Sequence, residues 1–315
     1  MAAKTVKSRI MKTLGCVLTF AVIVLLVLVF GYFLDPKYAQ DGIDVVKAFE
    51  QLEDDSLDVI VYGSSRAWKG VDTGVMYKDY GLEAYNYSAN WLSLNTTLLF
   101  LQNSLKSQKP KVACIETGLV DQIEKDVDLD GQIYCTRYMR ASKEKREFLK
   151  TCFGNNPERY LSYYFPLIMF HDNWSSISKE NFIKPDTERF INSRGFYSTN
   201  GSEPFDAPDY LNFVQEDLSA ESIETLDEMV SVCKANNIHV IFFTCPYADQ
   251  YHYSDALKKY SEKNGCDYIN LFEYTDEMGL DFSEDLKDSG HLNDKGAAKT
   301  ASFLAKYITE KYSIE

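Results

Sequence analysis

The stretch that decides the fold lies near the N-terminus and reads Leu57-Asp58-Val59-Ile60-Val61-Tyr62-Gly63-Ser64-Ser65-Arg66-Ala67-Trp68-Lys69-Gly70. It begins with a short run rich in β-branched residues, which is typical of a buried strand. The run ends at Gly63, where the missing Cβ lets the backbone turn sharply. Two serines and a segment able to start a helix follow. A serine at such a turn has its hydroxyl beside backbone N–H groups, where an acyl-transfer nucleophile is useful, although ordinary turns use the same residues.

The composition limits the classes of function that fit the chain. Its 315 residues are 45% hydrophobic and 14% aromatic, which is typical of one large globular α/β domain. The net charge is −14, and because the first 34 residues carry four basic residues and no acid, the remainder carries −18. This negative charge on the chain after residue 34 argues against nucleic acid as a partner, since nucleic-acid binding depends on basic residues that neutralise phosphates.

An apolar segment near the N-terminus predicts a membrane anchor. Thr13 to Leu34 holds no charged residue, and as a helix it would be about 33 Å long. The basic residues before it favour a cytoplasmic N-terminus over residues 1–12 and an extracytoplasmic domain over residues 35–315. A cleaved signal peptide is the alternative, but the bulky residues that follow the apolar run favour a retained anchor.

The remaining chain alternates between predicted strands and helices. Because the strands are separated by helices, the order implies parallel strands with helices on both faces of the sheet. The predicted strands after the first are Glu83–Tyr87, Lys111–Ile115, His239–Phe243 and Asp267–Asn270, and the predicted helices are Ile43–Leu52, Met76–Tyr80, Leu92–Ser107, Ala220–Ala235, Ser254–Lys263 and Asp294–Tyr312.

The alternation stops over residues 119–219, which we interpret as a helical insertion. Aromatic residues crowd its centre between Tyr160 and Trp174. They can pack the insertion onto the domain, or they can form a lid or a platform that stacks on sugar rings. The sequence leaves both interpretations open.

A serine nucleophile needs a base, and the chain has four histidines. His239 begins a predicted strand, which favours a structural role, whereas His171 and His252 lie where they could touch a substrate. His291 lies directly before the last helix, with Asp288 three residues earlier. A carboxylate at that spacing can accept the imidazole Nδ1–H and fix the tautomer, although a helix-capping acid beside a surface histidine gives the same pattern.

Together the two motifs resemble the SGNH/GDSL hydrolase superfamily. Gly63-Ser64-Ser65 follows the first strand, and Asp288-Ser289-Gly290-His291 precedes the last helix. The resemblance implies a three-layer flavodoxin-like α/β fold with a parallel sheet. It also implies that Ser65, Asp288 and His291 form a catalytic triad, with Ser64 in place of the usual aspartate.

Two blocks depart from the family pattern. After the second strand the usual oxyanion-hole glycine is absent, and the backbone N–H of Ser88 or Ala89 could serve instead. After the third strand Val120 occupies the position of the usual asparagine donor, which Asn90 could replace. We therefore expect Ser65, Ser88 and Asn90 to form the oxyanion hole. Loss of one donor costs on the order of 3 kcal/mol in related chemistry, which argues against a full-strength hydrolase.

The anchor and the degenerate third block look more like a divergent, membrane-anchored branch of the superfamily. That branch includes the D-alanyl-lipoteichoic acid transfer protein and the alginate acetylation proteins. The resemblance implies action on a cell-surface polysaccharide or teichoic-acid-like polymer, with a membrane-bound O-acyltransferase as a partner. It implies no cofactor, and no close CxxC pair among the seven cysteines points to a metal.

We therefore expect an anchored, extracytoplasmic serine acyl hydrolase or O-acyltransferase that acts on ester-linked acyl groups of a surface glycan. A stand-alone carboxylesterase or lipase would use the same residues on small esters. A non-catalytic glycan-binding or assembly protein would keep the fold while its site is degenerate.

The expected topology can be tested on intact cells. Protease added outside should degrade the region after Asp35 and leave a small anchored fragment, because the basic flank keeps the N-terminus inside. Immunoblotting with tags at the two termini checks this. A fully protected body would contradict the orientation, and a soluble form lacking the first 34 residues would indicate a signal peptide.

Overall fold

The computed structural model describes residues 2–35, 42–122, 133–182 and 187–314. The chain forms two compact units. The first combines residues 1–39 with 153–185, and the second combines residues 40–152 with 186–315. The predicted insertion is therefore divided: its central part belongs with the N-terminal helix, and its two flanks belong with the sheet.

A five-stranded parallel sheet forms the centre of the second unit. Its strand order is β2-β1-β3-β4-β5, which is the flavodoxin-like order 2-1-3-4-5. Every neighbouring pair is parallel, and Val59 of the first strand pairs with Ala84 on one side and Val112 on the other. The predicted α/β class with a parallel sheet is thus confirmed. The strands are β1 (Val59–Tyr62), β2 (Ala84–Asn86), β3 (Val112–Glu116), β4 (His239–Thr244) and β5 (Asp267–Asn270), and a separate antiparallel pair is β6 (Leu286–Asp288) with β7 (His291–Leu292).

Helices cover both faces of the sheet. On one face, alternate residues of β1, β3 and β4 pack in a buried cluster with the apolar side of the last helix, including Ala301 and Leu304. On the other face the hydroxyl groups of Tyr62 and Ser104 share a hydrogen bond of 2.7 Å, which ties β1 to the helix that ends at Ser104. The helices are α1 (Ala2–Leu34), α2 (Ile43–Phe49), α3 (Ser65–Gly70), α4 (Thr73–Tyr80), α5 (Leu94–Ser104), α6 (Lys143–Phe153), α7 (Pro157–Tyr164), α8 (Pro166–Met169), α9 (Thr187–Asn192), α10 (Ala220–Ala235), α11 (Ser254–Asn264), α12 (Thr275–Met278) and α13 (Asp294–Tyr312), with short 3-10 turns at Thr136–Tyr138, His171–Ser176, Lys179–Phe182, Tyr210–Asn212 and Leu271–Tyr274.

The first unit is built on the long helix α1. Residues 9–34 are long and apolar enough to cross a membrane, and almost all of their side chains are exposed. Near the end of α1, Gly31 lies beside Leu167, because an added Cβ on the glycine would be 3.4 Å from the Leu167 backbone nitrogen. The ring of Phe33 lies 4.8 Å from that of Phe182.

Several elements differ from the sequence-based expectation. No strand is predicted directly before the last helix, but the segment there forms the β6–β7 hairpin, in which Asp288 pairs with His291. The helix predicted over Met76–Tyr80 begins at Thr73, and the helix predicted over Ile43–Leu52 ends at Phe49. The helix predicted over Leu92–Ser107 covers only Leu94–Ser104, because Ser93 caps it by accepting a hydrogen bond from the Thr96 N–H.

The turn after β1 requires glycine. Gly63 has a φ of 152°, and a Cβ added there would lie 2.7 Å from the Cβ of Glu116 and 2.9 Å from that of Ala67. Such distances force a neighbour to move, and both neighbours are fixed by β3 and α3. The turn can therefore close only because this residue has no side chain.

We expect Gly63→Ala to lower the free energy of unfolding by about 2–4 kcal/mol, since it combines an unfavourable φ with two steric contacts. Gly265→Ala is the matched control, because Gly265 has a φ of 65° but nothing lies within 4 Å of its added Cβ. The control should cost about 1 kcal/mol. Urea unfolding of the detergent-solubilised chain measures both, and equal losses would contradict the steric account.

Candidate active site

Ser65 lies at the open end of the sheet, as the first residue of α3. Ser64 precedes it as the helix cap and accepts a hydrogen bond from the Arg66 N–H at 3.4 Å. The Ser64 hydroxyl is buried and donates to the carboxylate of Glu116 at 3.3 Å. The two serines therefore face different partners, and only Ser65 faces the histidine described next.

The β6–β7 hairpin brings Asp288 and His291 to Ser65. His291 Nε2 lies 2.8 Å from Ser65 Oγ, and His291 Nδ1 lies 2.8 Å from an oxygen of Asp288. That same Asp288 oxygen accepts the Gly290 N–H at 2.9 Å, so the tight turn helps to orient the carboxylate. The three residues predicted as a triad form one continuous chain of hydrogen bonds.

The charges in this chain fix the direction of its hydrogen bonds. Burial raises the pKa of Asp288, but the Gly290 N–H and the charge of His291 outweigh it, so the pKa lies below its usual value. An ionised carboxylate can only accept, and the ring proton must therefore lie on Nδ1 of His291. Nε2 is then an acceptor for the hydroxyl proton of Ser65.

Burial, together with two nearby cations, keeps the histidine neutral. Burial lowers the pKa of His291, and the positive charges of Lys69 and Arg66 lower it further, against the opposing effect of Asp288. Lys69 follows Ser65 by four residues on α3, so the two share one helix side. A histidine with a lowered pKa is uncharged at neutral pH and can take up a proton.

The residues proposed for the oxyanion hole differ in their burial and in the hydrogen bonds of their backbone N–H groups. Ser88 is buried, and continuing the β1–β2 register places it beside Gly63. The backbone N–H groups of Ser65 and Ser88 make no hydrogen bond to any residue that the structure describes. Ala89, by contrast, already donates to the Gly63 carbonyl at 3.4 Å. Asn90 is half-buried in the segment that follows β2.

Val120 offers no polar group to the site. It is fully buried, its N–H donates to Thr117, and its carbonyl accepts from the Ser222 hydroxyl at 2.7 Å. The position at which the SGNH hydrolases that the sequence resembles carry a side-chain donor is here part of the core.

A buried ionic cluster lies directly behind the nucleophile turn, and sequence reasoning missed it. Glu116 ends β3, accepts the Gly118 N–H at 2.7 Å, and is almost completely buried. Arg66 donates to the Gly118 carbonyl at 3.0 Å and stacks on the ring of Tyr247 at 3.7 Å. A Cβ on Gly118 would lie 2.5 Å from Glu116 Oε1 and 2.7 Å from Arg66 Nη1. The sequence signal was available: a glutamate that ends an apolar strand needs a partner.

The other histidines lie outside this arrangement. The ring of His239 stacks on Tyr312 at 4.4 Å, in line with the structural role expected for it. Nδ1 of His252 lies 2.8 Å from the Val214 carbonyl. His171 belongs to the first unit, where its Nδ1 lies 2.8 Å from the carbonyl of Ile168. Among the residues that the structure describes, no three His, Cys, Asp or Glu side chains are grouped to hold a metal ion.

Comparison with known proteins gives little further information. No protein-family model matches the sequence, and no curated protein matches it. Among solved structures, a Bacteroides fragilis protein proposed to be an acylhydrolase is similar over 84% of this chain and 93% of its own, with 13% sequence identity and a TM-score of 0.39. At that distance the likeness bears on neither the activity nor the substrate of this chain.

Removing the positive charge of Lys69 should raise the pKa of His291. In Lys69→Gln the imidazolium no longer faces that cation, so protonation becomes easier and the titration moves to higher pH. Histidine-selective NMR titration, with the signal assigned by a His291→Gln variant, measures the shift. Lys258→Gln, which removes an exposed charge on α11, should leave the titration unchanged. A downward shift in Lys69→Gln would contradict this electrostatic arrangement.

Proposed function

We propose that the protein is an SGNH-type serine enzyme that cleaves or transfers ester-linked acyl groups. The observation that carries the proposal is the continuous hydrogen-bond chain from Ser65 through His291 to Asp288. The lowered pKa of the histidine supports its use as a base. The flavodoxin-like strand order supports the fold that the resemblance implies, but it fits many activities and carries no chemistry by itself.

In the proposed reaction Ser65 Oγ attacks the acyl carbonyl carbon, and its proton passes to His291 Nε2. Asp288 stabilises the imidazolium that forms. The carbonyl electrons move onto the oxygen, which the N–H groups of Ser65 and Ser88 are proposed to stabilise, with Asn90 as a further donor. As the intermediate collapses, His291 returns the proton to the departing alcohol oxygen and an acyl-serine remains.

The second half of the reaction decides between hydrolysis and transfer. His291 removes a proton from the acceptor, which then attacks the acyl-serine and frees Ser65. A water molecule gives a free acid, and a sugar hydroxyl gives a new ester. We propose a glycan acceptor or donor at the cell surface, with the apolar α1 as an anchor and the remainder outside, and with a membrane-bound O-acyltransferase as a partner. The uncharged α1 and the basic residues before it support this placement.

A second candidate is a non-catalytic glycan-binding or assembly protein. The burial of Val120 favours it, since the site lacks the side-chain donor that the family uses. A carboxylesterase on small esters remains the other catalytic alternative, and it would use the same triad.

Labelling of the full chain with a fluorophosphonate tests the nucleophile. Ser65→Ala should abolish labelling, whereas the matched variant Ser64→Ala should retain at least part of it, because Ser64 faces Glu116. Asp288→Asn should reduce acyl transfer by about 10⁴-fold without abolishing it, as in comparable triads. Gel fluorescence and mass spectrometry of the labelled peptide measure the labelling, and the rate of alcohol release from an acyl ester measures the acyl transfer.

The outcomes separate the candidates. Absence of labelling in the folded wild-type chain would favour the binding protein, and a label on Ser64 would contradict the assignment of the nucleophile. Fast hydrolysis of a simple acetyl ester, unchanged by an added glycan, would leave the plain esterase.

A further inference from the structure

An exposed apolar surface lies in the first unit, within residues 157–182. From Tyr160 to Phe170 this segment contains no charged residue. Monomeric soluble surfaces rarely expose so many large apolar side chains together, so the surface indicates a partner. Its exposed members are Leu161, Tyr164, Phe165, Ile168, Trp174, Ile177 and Phe182.

This segment packs on the last turn of α1. Gly31 lets the backbone at Leu167 approach closely, and the rings of Phe33 and Phe182 are in contact. The short helix α8 and the two 3-10 turns that follow therefore pack against one end of the apolar helix, and α7 packs against α8. We call residues 157–182 the collar.

The position along α1 sets the height of the collar relative to a bilayer. The uncharged run from Thr13 to Leu34 is about 33 Å long, close to the roughly 30 Å of a hydrocarbon core. Gly31 lies three residues before the end of that run, which is about 4.5 Å along the axis. A segment attached there lies at the boundary between the acyl chains and the headgroups.

We propose that the collar is embedded in the outer interfacial layer of the bilayer, beside the end of α1. Its composition fits that layer, where tryptophan and tyrosine are enriched and where aliphatic side chains enter the acyl region. A sugar platform would combine aromatic faces with polar side chains. The polar residues His171, Asp172 and Ser175 are exposed near Trp174, but the aliphatic residues Leu161, Ile168 and Ile177 are exposed in the same segment, which a sugar platform does not need. Lipid is therefore the occupant that the surface fits best.

The collar adds a second membrane contact to the anchor. It makes no use of Ser65, His291 or Asp288, so failure of the acyl chemistry would leave it untouched. It does depend on the proposed anchoring of α1, and the experiment below separates the two.

The test uses the full chain in phospholipid nanodiscs and the fluorescence of Trp174. Trp174 and Trp91 are the two exposed tryptophans among the described residues, at 72% and 62%, and they belong to different units. Trp174→Phe and its matched control Trp91→Phe each remove one contribution to the emission. Lipids brominated near the headgroup should quench the Trp174 contribution at least about twofold more than they quench that of Trp91. Aqueous iodide should show the opposite order.

Each other outcome overturns the proposal. If Trp174 is quenched by iodide and not by brominated lipid, the collar is in water. If both quenchers fail, protein covers the surface, and a second copy of the chain or another protein is the partner. A chain that does not co-elute with nanodiscs would overturn the anchoring as well as the collar.

Discussion

The hydrogen bond between Ser65 and His291 joins residues 226 positions apart, and most of the second unit serves to bring them together. Ser65 is placed by β1 and the Gly63 turn. His291 is placed by the β6–β7 hairpin, which leads directly into α13, and α13 packs against α3. Asn293 secures that junction: its side chain caps α13 and donates to the Glu284 carbonyl at 2.7 Å. The distance between Ser65 and His291 is thus set by elements that pack against one another.

The ionic cluster behind Ser65 accounts for the serine at position 64, where the SGNH hydrolases that the sequence resembles carry an aspartate. The Ser64 hydroxyl lies 3.3 Å from the carboxylate of Glu116. Burial raises the pKa of Glu116, and the positive charge of Arg66 opposes this effect. An aspartate at position 64 would set two carboxylates side by side in a buried space, and one would have to be protonated. A serine instead donates to Glu116 and still caps α3. The substitution and the buried glutamate therefore form one arrangement.

Local patterns were enough to predict the sheet, and together with the family resemblance they singled out Ser65, Asp288 and His291, which the fold brings into hydrogen-bond contact. The limits of α10, β5 and α13 agree with the prediction, because each is bounded by clear capping or turn residues. The β6–β7 hairpin was not predicted because its strands, of three and two residues, are too short to show the alternating pattern of a strand. The cluster of Glu116, Arg66 and Tyr247 depends on contacts between distant segments, which no single stretch encodes. The same holds for the division of the insertion, since only tertiary packing associates residues 153–185 with α1.

The absence of a side-chain donor at Val120 changes how negative charge can be stabilised at this site. Arg66 is engaged with the Gly118 carbonyl and Tyr247, so it acts on the site through its charge and not as a direct donor. A pair of unit charges interacts by about 4 kcal/mol at 4 Å and an effective dielectric constant of 20, and by less as the distance grows, against about 3 kcal/mol for a lost oxyanion donor. Charge at Arg66 and Lys69 can therefore offset part of the missing hydrogen bond. Burial lowers the pKa of His291 most, and Lys69 and Arg66 lower it further, so the two cations that would favour the proposed oxyanion also help to keep the proposed base neutral.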